Sequence, residues 1–75
     1  MKKVRTKNDI KTDPRVHELF RGSTHGMSNA WYVDLNAGYW SKEGETTSLS
    51  CVSIEHACWY LNNDVETDPR PKSER

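Results

Sequence analysis

Trp31-Tyr32-Val33-Asp34-Leu35-Asn36-Ala37-Gly38-Tyr39-Trp40 holds four of the chain's seven aromatic residues. Its first half alternates as a half-buried strand does: Trp31, Val33 and Leu35 share one face, Tyr32, Asp34 and Asn36 the other. Its second half fits two registers. In the first, Asn36-Ala37-Gly38 is a hairpin loop with Gly38 in the left-handed position. That gives strands at 31–35 and 39–42, and a third at about 46–51 after a Glu43-Gly44 turn. In the second, Gly38 is a bulge in one long strand and Glu43-Gly44 forms the only hairpin. The first is adopted here, because three strands under a helix are more often independently stable than a lone hairpin.

Two helical segments flank this region. Asp13 has the form of an N-cap with Pro14 at the first helical position. Val16, Leu19 and Phe20 stand at i, i+3 and i+4, and Gly22 lies where a short helix would close. Residues 22–29 read as a loop by composition. Ser53 caps a second helix running to about Asn63, with Ile54, Ala57, Cys58, Leu61 and Val65 on one narrow stripe. With Ile54 at zero and about 100° per residue, Trp59 falls near 140° and Tyr60 near 240°, away from the stripe's centre. The fold class expected is α+β. It comprises a small antiparallel three-stranded sheet of β-meander form, a short N-terminal helix, and a C-terminal helix packed on one face.

The 75 residues carry a formal charge of zero that hides an asymmetry. Residues 1–11 hold five cations against Asp9, a net of +4, and residues 12–65 hold three cations against seven carboxylates, a net of −4. The expected organisation is a flexible basic arm at 1–11, one domain at 12–65, and a disordered charged tail at 66–75 containing Pro69 and Pro71. Thr12-Asp13-Pro14-Arg15 recurs as Thr67-Asp68-Pro69-Arg70. The second copy has no apolar periodicity behind it, so the recurrence reads as coincidence. No segment resembles a signal peptide or membrane span, which leads us to expect a cytoplasmic protein with reduced thiols at Cys51 and Cys58.

Four chemistries come into question. Cys51, Cys58, His25 and His56 are zinc-ligand types, but no Cys-x-x-Cys spacing is present, so no metal is expected. A cysteine nucleophile would need an activating neighbour, and Cys58 sits in the apolar stripe, so neither catalysis nor a cofactor is expected. Nucleic acid would find cations at Lys2, Lys3, Arg5, Lys7 and Lys11, but these do not interleave with the aromatics, and the body is acidic. A pocket for a small nucleotide would have to draw on Arg15, Arg21 and Lys42. The most economical reading is a protein-binding surface built from Trp40, Trp59, Tyr60 and Tyr32 with Asp34, Glu43 and Glu45. Its rings are types enriched at binding hot spots, and its carboxylates suit a basic partner or a second copy of the chain. A homodimer through Trp59, Tyr60 or Trp40 is the accompanying expectation.

Asp13-Pro14-Arg15-Val16, the Trp31-x-Val33-x-Leu35-x-x-Gly38-Tyr39-Trp40 pattern, and the Ser/Cys-rich strand before Ile54-Glu55-His56-Ala57 together resemble small phage and prophage accessory proteins. The likeness spans roughly residues 12–63. It implies a non-enzymatic protein that binds and blocks a host or defence protein in the host cytoplasm, as anti-CRISPR proteins do. Binding of nucleic acid through residues 1–11 is the alternative.

Overall fold

The computed structural model describes residues 3–24 and 27–75. Its elements are α1 (Lys7–Thr12), β1 (Val16–Thr24), β2 (Met27–Leu35), β3 (Tyr39–Ser41), β4 (Ser48–Cys51), α2 (Ile54–Asn63) and β5 (Val65–Thr67), with a closing 3-10 turn, Lys72–Glu74. β1, β2 and β4 form an antiparallel sheet in that spatial order, and β3 pairs with β5 in a second, two-stranded sheet. The fold is thus α+β, with a three-stranded antiparallel sheet, a short N-terminal helix, and a C-terminal helix packed on the sheet. The membership of the sheet differs from expectation, and each difference has a local cause.

Residues 16–21 form a strand and not a helix. Val16 stands opposite Leu35 but Glu18 opposite Asp34, so one extra residue is inserted between them. That bulge shifts the two-residue alternation by one, placing Val16 and Leu19 on the inner face at a spacing of three. A bulged strand therefore imitates the first turn of an amphipathic helix. The N-terminal helix lies earlier, at Lys7–Thr12. Thr6 is its N-cap: Thr6 Oγ1 accepts from Asp9 N, and Asp9 Oδ2 accepts from Thr6 N, both at 3.1 Å. Asp13 ends that helix rather than starting one, its ψ of 127° being what a residue before proline prefers.

The expected loop at 22–29 contains the end of β1 and the start of β2 instead; His25 and Gly26 lie outside the described residues. Gly38 does take a positive φ, 97°. The turn it makes leads out of the main sheet, because Tyr39–Ser41 pairs with Val65–Thr67 rather than with β2. Neither expected register is therefore realised in full, and the sheet is not a meander of consecutive strands.

From Val4 onward the basic segment packs onto the domain. Val4 is buried, and its backbone is clamped by Asn62: Val4 N donates to Asn62 Oδ1 at 2.9 Å and Asn62 Nδ2 donates to Val4 O at 2.8 Å. Ile10 is fully buried in the core with Val33, Leu35, Leu49, Cys51 and Leu61. Likewise the segment read as a tail begins in β5, and Asp68 N donates to Gly38 O at 2.8 Å. Asp64 anchors the remaining loop. Its Oδ2 accepts from Ser41 Oγ and its Oδ1 from Glu43 N, which holds the turn at 41–46 onto the end of α2.

α2 has the expected limits. Ser53 Oγ accepts from His56 N at 3.1 Å, and Ala57, Cys58 and Leu61 are buried. Leu61→Ala should cost about 2–4 kcal/mol of stability in a denaturant titration. Ile10→Ala should cost about 2–5 kcal/mol in the same measurement, whereas a frayed arm would tolerate it with no shift of midpoint.

Candidate functional site

The polar chemistry of the interior is occupied. Burial pushes the Cys51 thiol up to about 11, with nearby Cys58 adding to it. Burial, then Asp9 and Glu55, likewise raises the Cys58 thiol. Neither is poised as a thiolate. His56 Nδ1 accepts from Val52 N at 3.3 Å, and its ring lies 4.6 Å from that of Tyr60. Among the described residues no three His, Cys, Asp or Glu side chains gather as metal ligands, and His25 lies outside them.

The three cations considered for a nucleotide pocket are dispersed. Arg15 is locked in a fork with Asp13, Arg21 lies over the Trp31 ring at 5.5 Å, and exposed Lys42 meets Glu66 at 3.2 Å. Shallow grooves of about 460 and 410 Å³ run along Val65 and Glu66 beside Arg15, whose guanidinium is already committed to protein oxygens.

The residues expected to form one binding patch are divided. On α2, Trp59 is 49% exposed and meets Tyr60 edge-on at 5.5 Å. Tyr60 is half-buried against the core, and burial, with Glu43 next in weight, holds its hydroxyl pKa up. Glu43 and Glu45 lie in the 41–46 turn, where Glu45 takes a φ of 50°. Trp40 lies on β3 beneath the Arg70 guanidinium at 5.3 Å, which covers it from within the chain. Tyr32 and Asp34 alternate with inward Val33 on β2 and so face away from α2.

That outer face of the sheet contains two residues that the sequence pattern had placed on a helix. Phe20, 40% exposed, stacks on Tyr32 with ring centroids 5.2 Å apart and planes 20° from parallel. Directly beside this pair, Glu18 stands opposite Asp34 across the β1–β2 ladder. Among the described residues no cation forms a salt bridge with either carboxylate. Asp34 Oδ1 accepts a hydroxyl proton from Ser48 Oγ at 2.9 Å. Two carboxylates directly opposed across a ladder destabilise it by a few tenths to about 1 kcal/mol. The sequence signal for this face was the odd–even alternation of β2; the bulge in β1 hid the other half.

The candidate cations lie on the opposite side of the sheet. Lys7 sits 4.9 Å above the Trp31 ring that Arg21 also approaches, on the face α1 covers. Lys3 and Arg5 border a groove of about 380 Å³ with Thr6 and Asp9, Lys11 is exposed on α1, and Lys2 lies outside the described residues. Cations and one aromatic ring are therefore brought together here, although they are separate in sequence. Among the described residues no helix is long and apolar enough to cross a membrane.

Comparison with protein-family models, with curated proteins and with solved structures returns no match.

The buried thiols lead to a direct measurement. At pH 8 the native protein should react slowly with a thiol reagent, and denaturation without reductant should release two fast-reacting thiols per chain. The Asp13–Arg15 fork gives a second. The hydrogen bonds from Arg15 hold the Asp13 carboxyl below its usual range. Its folded pKa lies under the unfolded value of about 3.9, so its contribution is complete above about pH 4 and is lost as pH falls through the folded pKa. Asp13→Asn should therefore be less stable than wild type at neutral pH, with the difference shrinking below about pH 4.

Proposed function

We propose that this protein acts by stoichiometric binding, laying the outer face of its sheet on a basic surface of another protein and blocking that surface. The observation that carries the reading is the Glu18–Asp34 pair beside the stacked Phe20 and Tyr32 rings. An isolated fold gains nothing from opposing two carboxylates that no cation among the described residues pairs with. A lysine or arginine brought by a partner relieves their repulsion, and the rings supply the apolar contact that binding hot spots require. Such a face reads charge and shape rather than performing a reaction, in keeping with buried, inert thiols. In the phage setting that the sequence resemblance implies, the partner is a host or defence protein and the outcome is inhibition. Trp59 is a second, separate contact candidate on α2.

Nucleic-acid binding is the second reading, favoured by the convergence of Lys7 and Arg21 on Trp31. The two readings differ in their salt response and in the face they use. Affinity purification from host lysate, with protein and nucleic acid both identified, separates them. Glu18→Lys with Asp34→Lys should abolish capture of a protein partner, while Lys7→Glu with Arg21→Glu should leave it intact. The reverse pattern, with affinity falling steeply as salt rises, would establish the nucleic-acid reading instead.

The proposal also sets stability against binding. Glu18→Gln should leave the fold unchanged or more stable by a few tenths of a kcal/mol, because it removes a like-charge pair, and should still weaken the complex. Paired thermal melts and partner titrations check both halves.

A further inference from the structure

β1 is an edge strand of the main sheet, and its hydrogen-bonding side can be read from the register. Along a strand, backbone groups point alternately to one neighbour and the other. Leu35 N donates to Thr47 O, so the odd-numbered residues of β2 address β4 and the even-numbered ones address β1. Asn36 N donating to Arg15 O agrees with this. Opposite the even positions, Glu18, Phe20 and Gly22 turn their backbone groups to β2. Leu19 and Arg21 consequently present their N–H and C=O groups away from the sheet.

The regular part of this edge is bounded on both sides. Register irregularities fall between Val16 and Glu18 and between Gly22 and Thr24, leaving a straight ladder from Glu18 to Gly22. Phe20 is its midpoint, and Phe20 is also the exposed ring of the stacked pair. A strand whose regular segment is centred on one residue is self-complementary in one antiparallel register, the one that sets that residue opposite its own copy.

We propose that the protein forms a homodimer by pairing β1 with β1 of a second copy across a two-fold axis at Phe20. In this register Leu19 and Arg21 of one chain form hydrogen-bonded pairs with Arg21 and Leu19 of the other, supplying about four N–H···O bonds. Phe20 faces Phe20 as a non-hydrogen-bonded pair, the closer kind, with Cβ atoms about 4.5–5.5 Å apart. Tyr32, Phe20 and their two symmetry mates then form one row of rings on the outer face. Glu18 falls opposite Gly22 of the copy, so no like charges are directly opposed. Moving the centre of pairing to Glu18 or to Arg21 sets a carboxylate against a carboxylate or a guanidinium against a guanidinium. The edge backbone groups, otherwise a template for uncontrolled pairing, are satisfied in a closed assembly. This dimer leaves Trp59 outside the interface and joins two acidic, aromatic faces side by side. It stands whether or not that face takes a foreign protein, because its mass is read without any partner.

Sedimentation of the full chain should give twice the 8.7 kDa protomer mass. Arg21→Pro removes an outward N–H without touching the β1–β2 ladder, and should sediment as a folded monomer. Cross-linking tests the register independently of that variant's folding. Under mild oxidation Phe20→Cys should yield a disulfide-linked dimer, since a close cross-strand pair approaches disulfide geometry. Glu18→Cys should not, since the two positions are about four residues apart along the ladder, roughly 13 Å. A wild type that is monomeric at millimolar concentration would overturn the proposal. So would dissociation by Trp59→Ala with Arg21→Pro still dimeric, or cross-linking of Glu18→Cys in preference to Phe20→Cys.

Discussion

Arg15 ties the two ends of the chain together. It is 6% exposed, and its guanidinium is gripped by both oxygens of Asp13, at 2.9 and 2.7 Å, while Nη1 donates to Leu61 O at 2.8 Å. The last turn of α2 has no basic residue of its own, so this cation from 46 residues away serves its unsatisfied carbonyl end. The same fork sets the corner between α1 and β1, because Asp13 Oδ1 also accepts from Arg15 N. One buried ion pair thus couples the N-terminal helix, the edge strand and the C-terminal helix. Removing either member leaves a desolvated charge, which costs far more than the intact pair contributes.

The chain uses this device twice. Asp68 accepts from Arg70 N and from the Arg70 guanidinium in nearly the same pattern, with a closest approach of 2.7 Å. The recurrence of Thr-Asp-Pro-Arg is therefore a recurrence of structure: proline leaves no competing N–H, and the aspartate bonds the backbone two residues on. The copies differ in what surrounds them. The first is sealed by α2, while the second leaves Arg70 partly open and laid across Trp40. Hydrogen bonding by Arg70 holds the Asp68 carboxyl below its usual range, as at the first copy.

Charge is sorted by this architecture into opposite sides of a molecule only 18 Å thin along its shortest axis. α1 brings Lys7 onto the inner side at Trp31, next to Arg21, while the outer face keeps Glu18 and Asp34. A two-layer fold has only one sheet face to bury, so the other is free to be specified by what it meets. The aromatic surplus is divided accordingly: Trp31 and Tyr60 pack on the core, Trp40 is covered by Arg70, Phe20 stacks on Tyr32 on the outer face, and Trp59 is exposed on α2.

Local chemistry alone determined α2 and its Ser53 cap, the inward set Trp31, Val33 and Leu35, the left-handed turn at Gly38, and the α+β class. Each rests on contacts within a few residues or on a periodicity unbroken over one element. The Thr6-x-x-Asp9 capping box was equally local, but the surrounding charge masked it. Tertiary structure decided the rest. β3 and β5 are each three residues long and pair with one another across more than twenty positions, so no local pattern marks them. Val16 to Phe20 is a strand because β2 is there to pair with it; its bulge converts a period of two into a spacing of three, which reads as helix until the partner strand is in place. The candidate binding face was split by the same ambiguity. Tyr32 and Asp34 could be placed from β2, but Phe20 and Glu18 join them only through the ladder, since a sheet face is a property of paired strands and not of any one of them.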